Sequence, residues 1–211
     1  MSYQVKEIYY TLQGEGARSG RAAVLLRFAG CNLWSGFEKD RHRAVCRFCD
    51  TDFVGTDGLE GGRFADAGTL ARAVAKRWPQ HERARPYVVC TGGEPLLQVD
   101  AALVGALHEV CFEVAVETNG TIEAPSGIDW VCVSPKADSN LVLDRGDELK
   151  LVFPQSGAPP ERYAGLSFRH FFLQPMDSPR KEEYTRAAAE YCLAHPQWRL
   201  SLQTHKLIGL R

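Results

Sequence analysis

Short apolar runs recur along the chain, each ended by polar or glycine-bearing residues, with amphipathic stretches between them. Ala22-Ala23-Val24-Leu25-Leu26-Arg27-Phe28 lies between Gly20 and Gly30. It is too short for a useful helix and reads as a buried strand. Residues 87–90, 112–116, 130–133, 148–153, 169–173 and 198–202 read the same way. An earlier strand opens at Val5 and ends in Gly14-Glu15-Gly16, where Gln13 and Glu15, as alternate residues, could point to one side. A plain polar hairpin turn fits that stretch too. Helical spacing marks 69–78, stopped by Pro79, then 96–110 and 179–195. The glycine-rich residues 55–68 read as loop.

Strands alternating with helices imply a mostly parallel sheet with right-handed crossovers. At 211 residues the chain is shorter than a full eight-fold barrel of about 250 residues. Connections 120–130 and 136–147 are also too short for long helices. The expected fold is a single α/β domain over 1–211: a partial, open (β/α) barrel with reduced helix content.

Composition narrows the function by exclusion. Lys and Arg number 25 against 26 Asp and Glu, a net charge of −1, so there is no broad electrostatic footprint for nucleic acid or an anionic membrane. No apolar run approaches the roughly 20 residues of a bilayer span. No apolar leader follows Met1, and an odd set of seven cysteines argues against a disulfide framework. A reducing cytoplasm is the expected compartment.

The chemistry concentrates after the strand 22–28. Cys31, Cys46 and Cys49 sit at C-x14-C-x2-C spacing, and Cys31 joins the other two only if 35–45 folds back. With His42 as fourth ligand the set suits structural zinc; with three thiolates alone it suits a [4Fe-4S] cluster with one iron left for a non-protein ligand. These residues leave both readings open. Cys90, Cys111, Cys132 and Cys192 lie in or beside apolar stretches, where core packing is the default. Gly92-Gly93-Glu94-Pro95 ends the strand 87–90, exposing backbone groups to a ligand beside a carboxylate suited to an ammonium. Arg27 interrupts an apolar strand, so it pairs either with a protein carboxylate or with one from a ligand.

Together these strand ends resemble the radical S-adenosylmethionine (SAM) superfamily over nearly the whole chain. Cys46-Arg47-Phe48-Cys49 keeps the second half of its C-x3-C-x-aromatic-C motif, with a longer spacer before it, and Gly92-Gly93-Glu94 matches its GGE motif. Thr11-Leu12-Gln13-Gly14-Glu15-Gly16, Glu117-Thr118-Asn119-Gly120, Ser134-Pro135-Lys136 and His205-Lys206 narrow the likeness to a queuosine-pathway branch with long cysteine spacing. The resemblance implies conversion of 6-carboxy-5,6,7,8-tetrahydropterin to 7-carboxy-7-deazaguanine with loss of ammonia. It implies a cluster on Cys31, Cys46 and Cys49, and Mg2+ at Thr51. It puts the pterin against Leu12, Gln13, Glu15, Arg27, Thr91 and His205. SAM falls to Phe48, Gly92, Gly93, Glu94, Glu117, Asn119, Ser134, Lys136 and Gln174. A homodimer and an electron donor complete the expectation. The alternatives are a radical-SAM activase of a glycyl-radical enzyme and a zinc-stabilised binding module without enzymatic activity.

Overall fold

The computed structural model describes residues 2–79 and 84–210. Nine strands form one sheet: β1 (Tyr3–Leu12), β2 (Ala22–Phe28), β3 (Gly62–Phe64), β4 (Tyr87–Gly92), β5 (Glu113–Thr118), β6 (Trp130–Val133), β7 (Arg145–Phe153), β8 (Ser167–Pro175) and β9 (Trp198–Leu200). Their order is β3-β1-β2-β4-β5-β6-β7-β8-β9, so β3 and β9 are separate edges and the sheet stays open. From β2 to β9 each neighbouring pair is parallel. The connections β5–β6 and β6–β7 carry no helix, as their lengths predict. The partial open barrel is the observed fold.

Helices α1 (Ala67–Ala75), α2 (Ala101–Glu109) and α3 (Lys181–Ala194) follow the predicted segments with shifted ends. Aspartates set two of those ends. Asp66 accepts from Thr69 N at 2.7 Å and starts α1 two residues early, while Asp100 accepts from Leu103 N at 2.9 Å and starts α2 late. Before α2, Pro95–Leu97 makes a separate 3-10 turn. Loop 55–68 hides the short edge strand β3, which has too few residues to show a period. The core of Val24, Leu26, Val88, Val114, Leu149 and Leu151, with Leu70, Leu103 and Leu107 from the helices, is fully buried. Cys90 and Cys132 lie in buried strand positions as expected. Cys111 does not: it is exposed, at φ 67°, in the turn after α2, where chain reversal rather than packing sets its place.

One strand departs from the parallel rule. β1 runs antiparallel to β2, with Leu12 opposite Ala22 and Val5 opposite Phe28. Its C-terminal tip therefore lies at the N-terminal end of the parallel strands, opposite the cysteine loop. The hairpin reading of the Gly14-Glu15-Gly16 turn is correct, and its consequence is a floor beneath the barrel. Ala17 N donates to Glu148 Oε2 at 2.8 Å, and Gly16 N to Ser201 Oγ at 2.9 Å. Arg18 and Arg21 reach Glu113 at 2.6 and 2.7 Å.

Two glycines of this turn separate strain from crowding. Both have positive φ, but a Cβ on Gly16 would stand 2.4 Å from Glu148 Oε1, whereas one on Gly20 would meet nothing within 4 Å. Gly20→Ala should cost about 1–2 kcal/mol in urea unfolding, the left-handed penalty alone. Gly16→Ala should cost about 1–3 kcal/mol more through overpacking. Equal losses would show that the Glu148 carboxylate does not fix the floor.

Candidate active site

The segment between the cysteines folds back around a small core of its own. Trp34, Ala44 and Phe53 are buried against Cys31 and Cys49, with the Trp34 and Phe53 rings edge-on at 5.6 Å. Arg41, on the 3-10 helix Glu38–Arg43, lies over Trp34 at 4.0 Å and donates to the carbonyls of Arg47 and Cys49. This cover brings all three thiols to one cavity of about 340 Å³, although fourteen residues separate Cys31 from Cys46. The Cys46 thiol hydrogen-bonds Cys49, lowering Cys49 to about 6 while Cys46 is raised. Burial raises Cys31. His42 is exposed and does not line the cavity. Among the described residues no three His, Cys, Asp or Glu side chains converge as a ready site for one ion. Three soft thiol donors spread around one mouth fit the separate corners of an iron–sulfur cluster, held through three of its irons.

Gly92 and Gly93 make the seam on which this loop rests. A Cβ on Gly93 would lie 2.1 Å from Gly30 O and 2.7 Å from the Cβ of Cys31, and Glu94 N donates to Gly30 O at 2.9 Å. Gly93 thus admits the cysteine loop and Gly92 the end of β2 at Phe28, and both also line the cavity. Glu94 corrects the expectation of an ammonium-binding carboxylate. It is fully buried behind the cavity wall and accepts from Leu96 N, Thr118 Oγ1 and Asn119 N at 2.7–2.9 Å. Burial raises its pKa against those three bonds. Its two oxygens brace the β5 tip against the β4 tip.

The floor supplies the other end. Glu15 Oε2 meets Lys150 Nζ at 2.5 Å, and Gln203 Nε2 donates to Glu15 Oε1 at 3.1 Å. Burial raises the Glu15 carboxyl, but the Lys150 ammonium and the Gln203 amide overcome it and hold the group at about 2. Gln13 Nε2 donates to Glu117 Oε1 at 3.0 Å, and Gln13 Oε1 accepts from Glu15 N at 3.2 Å. Glu117 was expected at a ribose; the structure turns it down onto Gln13 and Lys150. His205, on α4 (Thr204–Leu207), stacks where a Gly14 Cβ would come within 2.0 Å of its Nδ1. Burial lowers its pKa, so the ring is neutral near pH 7. Arg27 is already paired: Nε donates to Glu7 Oε1 at 2.8 Å and Nη2 to the Tyr9 hydroxyl at 3.2 Å. Its burial is offset inside the protein, while the side chain still faces the cavity.

With the exception of Glu94, every residue assigned from the sequence lines this cavity, including Leu12, Thr51, Phe48, Thr91, Asn119, Ser134, Lys136 and Gln174. Lys136 Nζ is anchored on Ser134 O and Oγ at 2.5 and 2.9 Å. Sequence reasoning missed Lys150, Gln203, Asp50 and Asp177. Glu148 and Lys150 alternate in β7, a period-two polar face that points into the barrel and was legible as such. Lys206 joins Asp50 to Asp177 at 2.6 and 2.5 Å, a clamp built from three distant segments that no local pattern reveals.

A partial barrel with three thiols on the loop after its first parallel strand, facing a glycine seam, defines the radical SAM class of enzyme, which uses SAM and an iron–sulfur cluster. No family model matches the chain. It is 64% identical, over the full length of both chains, to 7-carboxy-7-deazaguanine synthase of Bordetella pertussis, and 40% identical over the full length of that of Bacteroides thetaiotaomicron. The crystal structure of QueE from Escherichia coli superposes with a TM-score of 0.73 at 31% identity, covering 97% of this chain and 95% of that one. The chain belongs to the 7-carboxy-7-deazaguanine synthase family. These relatives carry neither the activase nor the zinc-module alternative.

The Glu15–Lys150 pair should register in acid. Folding holds the Glu15 carboxyl at about 2, below an unfolded value of about 4.3, so its contribution is complete above the unfolded value and is lost as pH falls toward the folded one. At pH 6 wild type should exceed Glu15→Gln by about 2–3 kcal/mol in chemical unfolding. That gap should narrow steadily between about pH 5 and 3. A pH-independent gap would remove the ionised pair from the floor.

Proposed function

We propose that this chain is a 7-carboxy-7-deazaguanine synthase, converting 6-carboxy-5,6,7,8-tetrahydropterin to 7-carboxy-7-deazaguanine with loss of ammonia. The observation that carries the reading is one cavity with three thiols at its mouth and a fixed carboxylate network at its floor. In this reading Cys31, Cys46 and Cys49 hold three irons of a [4Fe-4S] cluster, leaving the fourth for SAM. Gly92, Gly93, Phe48, Asn119, Ser134, Lys136 and Gln174 line the SAM side; Glu94 serves it indirectly by fixing Thr118 and Asn119.

The cluster and SAM, held by these residues, would supply radical chemistry directed at C6 of the pterin. The residues of this chain are then asked for position rather than proton transfer. Leu12 and Thr91 flank the ring, His205 offers a neutral imidazole, and Glu15 a carboxylate acceptor. Arg27 has five N–H donors, two of which hold Glu7 and Tyr9, so the remainder of its fork is left for the substrate carboxylate. Thr51 gives a hard oxygen for Mg2+, an ion that keeps open positions for substrate oxygens. A cytoplasmic homodimer served by a separate electron donor completes the proposal. No helix among the described residues is long and apolar enough to cross a membrane.

The cluster assignment has a direct test. Cys31→Ala, Cys46→Ala and Cys49→Ala should each abolish SAM cleavage, and Cys192→Ala should not. His42→Ala should keep full iron content after anaerobic reconstitution; an empty site in that variant would restore mixed thiolate–imidazole ligation.

The divalent ion is tested separately. Turnover should require Mg2+, and Thr51→Ala should raise the Mg2+ concentration needed while iron content stays at the wild-type level. Equal turnover before and after exhaustive chelation would remove the ion from the reaction.

A further inference from the structure

Lys150 is a lysine in the middle of a strand, with only 5% of its side chain exposed. Burying an ammonium is costly unless it is paired and hydrogen-bonded. Here it meets Glu15 Oε2 at 2.5 Å and Glu117 Oε1 at 3.1 Å, using two of its three donors. The partners arrive from opposite directions, Glu15 from the floor turn and Glu117 from the tip of β5. Glu148, the neighbouring acid on the same face of β7, is occupied by Ala17 N and is not the ammonium's partner.

Each carboxylate is fixed by a second donor as well: Gln203 on Glu15 and Gln13 on Glu117. Both carboxylates nevertheless line the cavity. An ionised carboxylate is acceptor-only with about four lone-pair sites, so each retains accepting capacity toward the ligand. Two adjacent acids with no cation between them would share a proton. One of them would then offer an O–H donor where an acceptor is needed.

We propose that Lys150 is a positioning residue, holding Glu15 and Glu117 as a paired acceptor platform for neighbouring N–H donors on one edge of the substrate ring. The matching chemistry is a cyclic guanidine edge: a ring N–H beside an exocyclic amine, as in a 2-amino-4-oxopyrimidine. This inference rests on the reading of the cavity as a carboxypterin site and adds which edge is read and what holds the readers. Lys150 touches neither the ligand nor the reacting atoms in this account; it acts through the two acids.

The experiment uses the reconstituted enzyme and two probes, the carboxypterin and its 2-oxo analogue, which lacks the exocyclic amine. Wild type should prefer the amine by on the order of tenfold or more, because the analogue leaves buried acceptors unpaired. In Lys150→Met that preference should fall to about threefold or less, with the KM for SAM and the iron content unchanged. Lys150→Arg keeps a cation but displaces both acids, so its preference should lie between the two; if the Met variant does not fold, the Arg variant decides. A lower Tm with the preference intact in either variant overturns the assignment and leaves Lys150 a structural ion. Wild type that fails to bind the carboxypterin or to cleave SAM overturns the underlying reading of the cavity, and the two failures are therefore distinct.

Discussion

The direction of β1 is the constraint on which the site depends. Had it joined the sheet in parallel, its tip would have emerged beside the cysteine loop and the barrel would have opened at its lower end. Running against β2, it delivers Gln13 to Arg21 beneath the parallel strands. There the Arg18 and Arg21 pairs to Glu113 and the Glu148 bond to Ala17 N anchor the turn from outside. Only then does Glu15 reach Lys150. The carboxylate network is thus built from the floor up, and the thiol group from the mouth down, on strands that meet between them.

The mouth depends on steric permission rather than charge. Gly93 lets the backbone at Gly30 sit where any side chain would collide, its Cβ position 2.1 Å from Gly30 O, and Gly92 does the same for Phe28, 2.3 Å from its carbonyl oxygen. The cysteine loop is then closed from above by Trp34, Phe53 and Arg41, a core separate from that of the barrel. Lys6 ties the loop's exit back to β1 through Asp52 and Asp57 at 2.9 and 2.8 Å. A loop with its own packing holds three thiols at one mouth.

Much of this was legible because it obeys local rules. Apolar runs ending in polar tips gave the parallel strands, and the short connections gave the missing helices. Cys31, Cys46 and Cys49 stood out by spacing, and Gly92-Gly93 by position at a strand end. What escaped was whatever depends on partners far apart in sequence. The antiparallel sense of β1 was carried only by the hairpin turn at its end, and its register on β2 by nothing local. Glu94 looked like a ligand because a carboxylate beside glycines suits an ammonium, yet it is buried behind the cavity wall and bonded to Thr118 and Asn119, reached only when β4 and β5 pair. Arg27 carried both readings from the start, and only the register of β1 on β2, with Glu7 opposite Arg27, puts an internal carboxylate beside it. Cys111 read as core because its neighbours are apolar, while the turn after α2 leaves it outside.

The buried charges of the barrel are costly for stability. An apolar triad in place of Glu15, Glu117 and Lys150 would fill the same volume without desolvating three ions, and such replacements are often neutral or stabilising. Retaining the ions keeps acceptors fixed in a place water would otherwise solvate, so the ligand meets groups that need no reorganisation. The same logic explains why the cation is a lysine. A compact ammonium on a long apolar stem can sit between two acids within a strand, where a guanidinium fork would demand planar, bidentate partners from one side. The residue choice at position 150 follows from the site having to offer acceptors in pairs.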